Sequence, residues 1–362
     1  MKKYLYIDDE DQASLEIFAK GFNQYKLIEL EILDLSCYNS FEKIISEIIR
    51  RWNEIDGCLL DLRLNGSGRN RQVFSATTLA QFLRSYTVES EIDAKPIVLC
   101  STDFDTAHYV NDFTSQDLFD YTFDKSETID IKKISEILAN LSEGYKVLNS
   151  YTDATWHSAL NRFDGAFDYM PFSQILVTKK NVNQFTKFLL SQVMPFSGIL
   201  INEDVLAARL GIDKEKSKAW NDVVKIFNSA EYKGVFSGLE RYFWSDLFEE
   251  RFRTLTKKNG LASLRAIDRV RCLQECVGFL EIVPAQPLEY AESSMFWTIC
   301  EATRKPLDAL EGYILKEKEP LAPWQEPHYV SFYALNQEKI DKRELLDEER
   351  EHYECDLDDM DS

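Results

Sequence analysis

Short apolar runs alternate with helix-spaced apolar positions along the first 145 residues. The runs lie at 4–7, 26–35, 57–64, 96–101 and 118–125. Each run is typical of a buried strand, and the segments between them repeat apolar residues every three or four positions, as amphipathic helices do. Strands that alternate with helices indicate a parallel sheet with helices on both faces. The predicted fold class of residues 1–145 is therefore α/β, with a doubly wound five-stranded parallel sheet.

The apolar pattern changes after residue 145. From 146 to 340 the apolar positions are mostly helix-spaced, as in Trp220, Val223 and Phe227, and predict a mainly α-helical output or interaction domain. Gly144 is the best candidate for a hinge between the two domains. Acidic residues dominate from 341 to 362. This acidic tail could begin as a helix, but we expect its end to be too charged to pack, and therefore solvated and mobile.

The formal net charge of the chain is -20, and the acid excess is concentrated at 1–150 and 341–362. Such a protein is poorly suited to general nucleic-acid binding, because that binding neutralises phosphates with Lys and Arg. No apolar run approaches the roughly 20 residues that span a bilayer, and MKKYLYIDDE does not resemble a signal peptide. The cysteines show no paired CxxC spacing. We therefore expect a reduced, cytoplasmic protein without membrane contact.

Polar side chains stand where four of the predicted strands end. They are Asp8, Asp9, Asp61, Ser101 and Lys125. Because the carboxyl ends of parallel strands meet at one edge of the sheet, we expect these side chains to lie close together. Two carboxylates about 4 Å apart repel by roughly 4 kcal/mol at an effective dielectric constant near 20, so such a cluster requires a raised pKa, a lysine or a bound cation. Mg²⁺ suits such carboxylates, and a lysine and a hydroxyl beside them favour phosphoryl transfer onto a carboxylate.

Residues 1–145 resemble the receiver domain of two-component response regulators. The matching segments, in order, are IDDED, CLLDLRL, PIVLCS and DYTFDK. The resemblance implies a flavodoxin-like fold and a Mg²⁺ site formed by Asp8, Asp9, Asp61 and the backbone carbonyl of Arg63. It also implies that a histidine kinase or a phosphotransfer protein is the partner that donates the phosphoryl group.

The same resemblance implies the chemical roles of three residues. Asp61 is the phospho-acceptor, Ser101 follows the phosphoryl group, and Lys125 binds it. Three features depart from the receiver pattern: Ser126 replaces the usual proline, Thr122 stands at the usual aromatic position, and the loop with Arg69 and Arg71 is long and basic. A pseudo-receiver scaffold that binds its partner without phosphorylation therefore stays open as an alternative.

Two segments of the second domain compete for a functional interpretation. LAARLGID at 206–213, followed by KEKSKAW, resembles a helix-turn-helix in which Lys214, Lys216 and Lys218 could reach phosphates. The alternative is an ordinary helical pair, because acidic residues surround the segment. A basic stretch at 251–271 could dock on the acidic first domain, the acidic tail, a partner or nucleic acid, and otherwise is a solvated helical face.

The sequence therefore favours a response-regulator-like signalling protein without a catalytic output motif, whose helical domain acts by contact with a protein partner. A transcription factor that binds DNA is the alternative from another class. A homodimer is left open. Membership of a specialised kinase–receiver module, such as one in antiviral (phage) defence, is a hypothesis from analogy alone, since the output domain is not a familiar one.

Overall fold

The structure is a computed structural model that describes residues 1–64, 74–101, 118–125, 129–151, 154–163, 176–177, 181–278 and 281–361. The chain divides into two compact units. The first unit comprises Met1–Leu190 together with Lys233–Leu239. The second comprises Ser191–Tyr232 and Glu240–Ser362.

A five-stranded parallel sheet forms the centre of the first unit. Its strands are β1 (Lys2–Ile7), β2 (Ile28–Ile32), β3 (Gly57–Asp61), β4 (Ile97–Ser101) and β5 (Tyr121–Asp124). The strand order is β2-β1-β3-β4-β5, and every neighbouring pair is parallel. This order is that of the flavodoxin-like doubly wound fold. The predicted fold class of the first domain is confirmed.

Four helices flank this sheet: α1 (Gln12–Asn23), α2 (Phe41–Arg51), α3 (Ala76–Glu89) and α4 (Ile131–Asn149). Two further helices of the unit follow along the chain, α5 (Trp156–Leu160) and α6 (Val182–Phe188), and α6 packs on α4. Side chains at the helix starts fix where α1, α2 and α4 begin: Asp11, Ser40 and Asp130 each accept hydrogen bonds from the first-turn amides. A short antiparallel pair, β6 (Ala154–Thr155) and β7 (Leu176–Val177), follows α4 in the chain.

The strand residues are buried because helices cover both faces of the sheet. Leu5, Ile7, Leu60 and Leu99 are fully buried and belong to the core that α2 and α3 share with the sheet. Continuous apolar strands are typical of parallel sheets, and alternation is typical of half-exposed ones. The continuous apolar runs in the sequence therefore correctly indicated a parallel sheet.

Helix α4 runs without interruption through Gly144 to Asn149. The prediction of a hinge at Gly144 is therefore wrong. A Cβ atom at this position would lie 2.2 Å from Cε1 of Phe236, so the glycine makes room for an aromatic ring. Close approach of another side chain, and not flexibility, explains the residue.

The second unit is rich in helices, as predicted. They are α7 (Glu203–Leu210), α8 (Trp220–Ile226), α9 (Ser245–Thr256), α10 (Ala266–Val277), α11 (Phe332–Asn336) and α12 (Asp347–Asp361). Short antiparallel pairs lie between them: β8 (Leu200–Asn202) with β9 (Tyr242–Trp244), β10 (Thr298–Ile299) with β11 (Pro306–Leu307), and β12 (Gly312–Ile314) with β13 (Tyr329–Ser331). In the part of the chain that the structure describes, no helix combines the length and apolar character that a bilayer crossing requires.

The helix-turn-helix interpretation is wrong for its second helix. Helix α7 ends at Gly211 in a left-handed turn, but the next helix begins only at Trp220. The intervening chain forms turns, and its start pairs with a distant segment: the amide of Asp213 donates to the carbonyl of Val283, and the amide of Ala285 donates to the carbonyl of Gly211. This pairing with a segment 70 residues away in sequence replaces the helical hydrogen bonds.

The lysines of this segment are paired with carboxylates inside the second unit. Lys214 contacts Asp204, Lys216 lies 2.8 Å from Asp213, and Lys218 lies 3.8 Å from Glu281. Cations already paired contribute less to phosphate binding than free ones. The arrangement therefore favours an ordinary structural role for this segment over phosphate binding.

The basic stretch at 251–271 is not a uniform solvated face. Arg269 is fully buried, and its guanidinium donates to the carbonyl oxygens of Arg209 at 2.9 Å and Phe296 at 2.6 Å. Arg209 is also buried and donates to both carboxylate oxygens of Glu326. Both arginines are therefore part of the core of the second unit.

The acidic tail begins as a helix, as expected, and this helix packs; the side chains at 359–362, where we expected a solvated end, lie outside those described. It forms α12, in which Tyr353 is buried and Leu357 is partly buried against the same small core. The Tyr353 ring lies 5.3 Å from that of Phe332 and 5.6 Å from that of Tyr313. Tyr353 and Leu357, four positions apart, form one apolar stripe along the helix. This stripe packs against the core while the acidic face of the helix stays exposed.

Replacing Tyr353 with alanine should lower the free energy of unfolding by about 3 kcal/mol, since the change leaves a cavity between aromatic rings. It should also make 347–361 susceptible to limited proteolysis. Urea denaturation measures the first effect. Glu351→Ala, on the exposed face of the same helix, is the control and should change neither property. Equal behaviour of the two variants would show that α12 does not depend on this packing.

Candidate functional site

Four predicted side chains meet at the carboxyl edge of the sheet. Asp8 directly follows β1, Asp61 ends β3, and Lys125 directly follows β5. Asp9 joins them, because oxygen atoms of Asp8, Asp9 and Asp61 all lie within 4.8 Å of one another. The parallel register produces this meeting, since every strand in the sheet ends at the same edge.

Lys125 provides the positive charge of this cluster. Its ammonium group donates to an oxygen of Asp8 and, at 2.9 Å, to Oδ1 of Asp61. The lysine side chain is only 7% exposed. Glu10 lies at its outer side, 3.9 Å from Nζ. One cation therefore bridges two carboxylates that would otherwise repel each other.

Asp8 is held by more than the lysine. The hydroxyl of Tyr6 donates to Oδ2 of Asp8 at 2.5 Å, and the amide of Glu10 donates to Oδ1 at 3.0 Å. Sequence reasoning missed Tyr6 and Glu10. Tyr6 could have been found, because residues two apart in a strand project from the same face.

The environment shifts the pKa of three groups at this edge. Burial raises the pKa of Asp61 to about 6; Lys125 opposes this effect and Asp8 adds to it. Asp61 is therefore still largely ionised at neutral pH. Burial alone would lower the pKa of Lys125, but the adjacent carboxylates outweigh it and raise that pKa. Burial, reinforced by Asp8, also raises the pKa of Tyr6, which stays a protonated donor.

Arg63 and Ser101 lie beside the cluster. The amide of Arg63 donates to Oδ2 of Asp61 at 3.0 Å, which fixes the orientation of that carboxylate. Ser101 is buried at the end of β4, one residue beyond Cys100, the partner of Asp61 across the two strands. The carbonyl of Ser101 accepts a hydrogen bond of 2.7 Å from the amide of Lys125. The roles of the Arg63 carbonyl and the Ser101 hydroxyl stay predictions.

The departures from the receiver pattern fall partly outside the described residues. Arg69, Arg71 and Ser126 lie outside them. Thr122 is in β5, between Tyr121 and Phe123 in the sequence, and the ring centroids of these two neighbours are 6.3 Å apart. The aromatic side chains of β5 are therefore placed one residue to either side of the usual position.

The donor set of this cluster fits a hard cation. Three carboxylates with oxygen atoms within 4.8 Å offer the ligands that Mg²⁺ prefers. Asp8 is fully buried, whereas Asp61 keeps 14% of its side chain exposed, so the cluster opens to solvent on the Asp61 side. Lys125 already neutralises part of the charge, and an added cation would share Asp8 and Asp61 with it.

Comparisons with solved structures find response-regulator receivers that match about two fifths of the chain. A Saccharomyces cerevisiae receiver domain, solved with a histidine phosphotransfer protein, is 13% identical and covers 39% of this chain and 88% of its own, with a TM-score of 0.28. A red-light response regulator of R. palustris is 15% identical and covers 39% of this chain and 91% of its own, with a TM-score of 0.26. A phosphorylated cyanobacterial phytochrome response regulator is 17% identical and covers 42% of this chain and 96% of its own, with a TM-score of 0.25.

No protein-family profile matches the sequence, and no curated protein is significantly similar to it. The strand order and the geometry of the carboxyl edge therefore carry the functional argument.

Replacing Lys125 with methionine should lower the free energy of unfolding by about 3 kcal/mol in the presence of a chelator, because it leaves buried carboxylates without their cation. Added Mg²⁺ should restore part of this loss. Urea denaturation with and without Mg²⁺ measures both effects. Lys132→Met is the control, since Lys132 is exposed and lies 4.0 Å from Glu136. If Mg²⁺ stabilises neither the wild type nor Lys125→Met, the cluster does not bind this cation.

Proposed function

We propose that the protein is a response-regulator-like signalling protein that accepts a phosphoryl group on Asp61 in the presence of Mg²⁺. One observation supports this proposal above the others: a partly exposed carboxylate, two further carboxylates and a buried lysine share the carboxyl edge of a 2-1-3-4-5 sheet. The donor is a histidine kinase or a histidine phosphotransfer protein, as the resemblance to receivers implies.

The proposed reaction is an in-line displacement at phosphorus. An oxygen of Asp61 attacks the phosphorus of a phosphohistidine, the new O–P bond forms, and the P–N bond breaks with its electron pair passing to the imidazole nitrogen. Asp61 needs no general base, because its carboxylate is largely ionised at neutral pH. Bound Mg²⁺ would withdraw charge from the phosphoryl oxygens.

Lys125 and Ser101 have complementary roles in this proposal. The ammonium of Lys125, which already contacts Asp61, is in place to balance the charge of the phosphoryl group. Ser101, on the neighbouring strand, is the hydroxyl donor for a phosphoryl oxygen. Asp8 and Asp9 would hold the cation, together with Asp61 and the carbonyl of Arg63.

The second unit is proposed to act by contact with a protein partner. Its charged groups argue against a DNA-binding output, because Lys214, Lys216 and Lys218 are paired with carboxylates and no helix follows Gly211 directly. The receiver acts on its own carboxylate and is not proposed as an enzyme for an external substrate.

Incubation with acetyl phosphate and Mg²⁺ should add the mass of one phosphoryl group to the wild-type protein. Asp61→Asn should gain nothing, because the amide replaces the nucleophilic oxygen while it keeps the size of the side chain. Intact-mass spectrometry, with and without a chelator, measures the product. Glu54→Gln, at an exposed position of the same unit, is the control and should be phosphorylated normally.

A second experiment uses a purified histidine phosphotransfer protein in its phosphorylated form as the donor. It tests whether the protein accepts a phosphoryl group from a protein donor when it accepts none from acetyl phosphate. Absence of product from both donors would contradict phosphorylation and favour the pseudo-receiver scaffold. In that case, Asp61→Asn should bind the protein partner as tightly as the wild type does.

A further inference from the structure

The basic stretch at 251–271 forms an exposed surface on the second unit, apart from its buried or half-buried arginines. The exposed cations, which we call the basic surface, are Arg253, Lys257, Lys258, Arg265 and Arg271. Arg265 and Arg271 share one carboxylate, that of Asp268, at 3.0 and 3.9 Å. Within the described residues, Arg253, Lys257 and Lys258 form no ion pair. Three cations of this surface are therefore available to an anionic partner.

An ordered turn at the end of α9 presents these three cations. The amide of Lys257 donates to the carbonyl of Arg253 at 2.9 Å, and the amide of Lys258 donates to Oγ1 of Thr256 at 3.2 Å. Lys257 has a φ of 57°, the left-handed conformation that usually falls to glycine at a helix end. A lysine kept in a conformation that costs free energy indicates that its charge has a use at this position.

The turn lies beside α10, so the cations of both helices belong to one surface. Burial raises the pKa of the Cys272 thiol in α10, and the charge of Lys258 opposes this effect, which places Lys258 near Cys272. Arg271 directly precedes Cys272, and Arg265 reaches the same carboxylate as Arg271. The basic surface therefore extends from the end of α9 to the exposed side of α10.

Helix α12 of the same unit carries the opposite charge. Glu348, Glu351 and Asp358 are exposed, and their spacing of three and seven residues places them on one face of the helix, which we call the acidic face. In the part of the chain that the structure describes, these carboxylates have no cationic partner. Tyr353, buried on the other side of α12, holds the helix in place. The acidic face is therefore a fixed surface with charge to spare.

The two surfaces complement each other, and the structure does not pair them within one chain. Their most direct occupants are therefore each other's counterparts on a second copy. The net charge of -20 favours this over nucleic acid, because the rest of the protein repels phosphates. Two copies also repel at long range, but the Debye length of about 8 Å at physiological ionic strength screens that repulsion more than it weakens charges in contact.

We propose that the protein self-associates by docking the acidic face of α12 of one copy on the basic surface of another. This inference goes beyond the proposed function and does not depend on phosphorylation of Asp61. A single exposed ion pair contributes little, so several pairs must act together, and the association must weaken as salt is added.

Sedimentation velocity of the full chain over a concentration series tests the proposal. Between about 0.1 and about 1 M salt the Debye length falls from about 10 to about 3 Å, so the dissociation constant should rise at least about tenfold. Lys257→Glu with Lys258→Glu should weaken association at the lower salt concentration by at least about tenfold, because acid then faces acid. Glu351→Lys with Asp358→Lys should do the same, because base then faces base.

A matched control separates the basic surface from net charge. Lys20→Glu with Lys43→Glu changes the net charge as much as the change at 257 and 258 does, but at exposed positions of the first unit. This variant should self-associate as the wild type does.

A mixture of the two reversed variants gives the decisive measurement. Each variant alone presents like charges on its two surfaces, whereas each surface of one variant is opposite in charge to the docking surface of the other. Equimolar mixing at the lower salt concentration should therefore restore association between the variants. Misfolding cannot produce this recovery, so the result does not depend on the effect of either change on stability.

Three results would overturn the proposal. They are a wild type that stays monomeric at every concentration, self-association that persists in both reversed variants, and a mixture that does not associate. A labelled DNA duplex that binds a monomeric wild type, but not Lys257→Glu with Lys258→Glu, would assign the basic surface to nucleic acid and overturn it as well. Phosphorylation is scored separately by mass after acetyl phosphate, and all these variants should gain one phosphoryl group if Asp61 accepts it.

Discussion

Repulsion among three carboxylates is the constraint on which the first unit depends. Asp8, Asp9 and Asp61 are delivered to one edge by the parallel register, and that edge is stable because Lys125 is delivered to it as well. In the strand order β2-β1-β3-β4-β5, the lysine follows the outermost strand, and its ammonium group contacts Asp61 at the end of β3, two strands away. Strands are spaced about 4.8 Å apart, so the two strands lie roughly 10 Å apart and both side chains contribute to the span. The small side chain of Ser101 at the end of β4 is compatible with such a crossing.

The parallel sheet and its polar edge were predictable from the sequence because both follow from local patterns. A short apolar run indicates a buried strand, and the first charged residue after it marks the end of the strand, as Asp8 does after Ile7. The support that Asp8 receives from Tyr6 follows from the same two-residue period, although it was overlooked. What local pattern cannot show is which acidic oxygen the lysine contacts, since that depends on side-chain reach across strands.

The errors have a common physical cause, which is a partner distant in sequence. Gly144 suggested a hinge, but Phe236, far along the chain, needs the space. The stretch after Gly211 suggested a second helix, but its first residues pair with 283–285 and the next helix begins only at Trp220. Arg269 belongs to a basic stretch that could have been a solvated face, but its guanidinium donates hydrogen bonds to backbone carbonyls of α7 and of Phe296. In each case the same local sequence is compatible with two structures, and contacts with a distant segment decide which one forms.

The gradient of exposure across the acidic cluster bears on whether it is a relic or a site. Asp8 is fully buried, Lys125 is 7% exposed, Asp61 is 14% exposed and Glu10 is 51% exposed. Burial strengthens an ion pair but also removes its charges from water at a cost, so the extent of burial alone does not distinguish a structural cluster from a site. The direction in which the cluster is exposed does. Here the groups that anchor the edge are buried, and the carboxylate proposed to react is the one of the two lysine-bound aspartates that faces outward. That polarity is what an incoming phosphoryl group requires, and it favours a site over a relic.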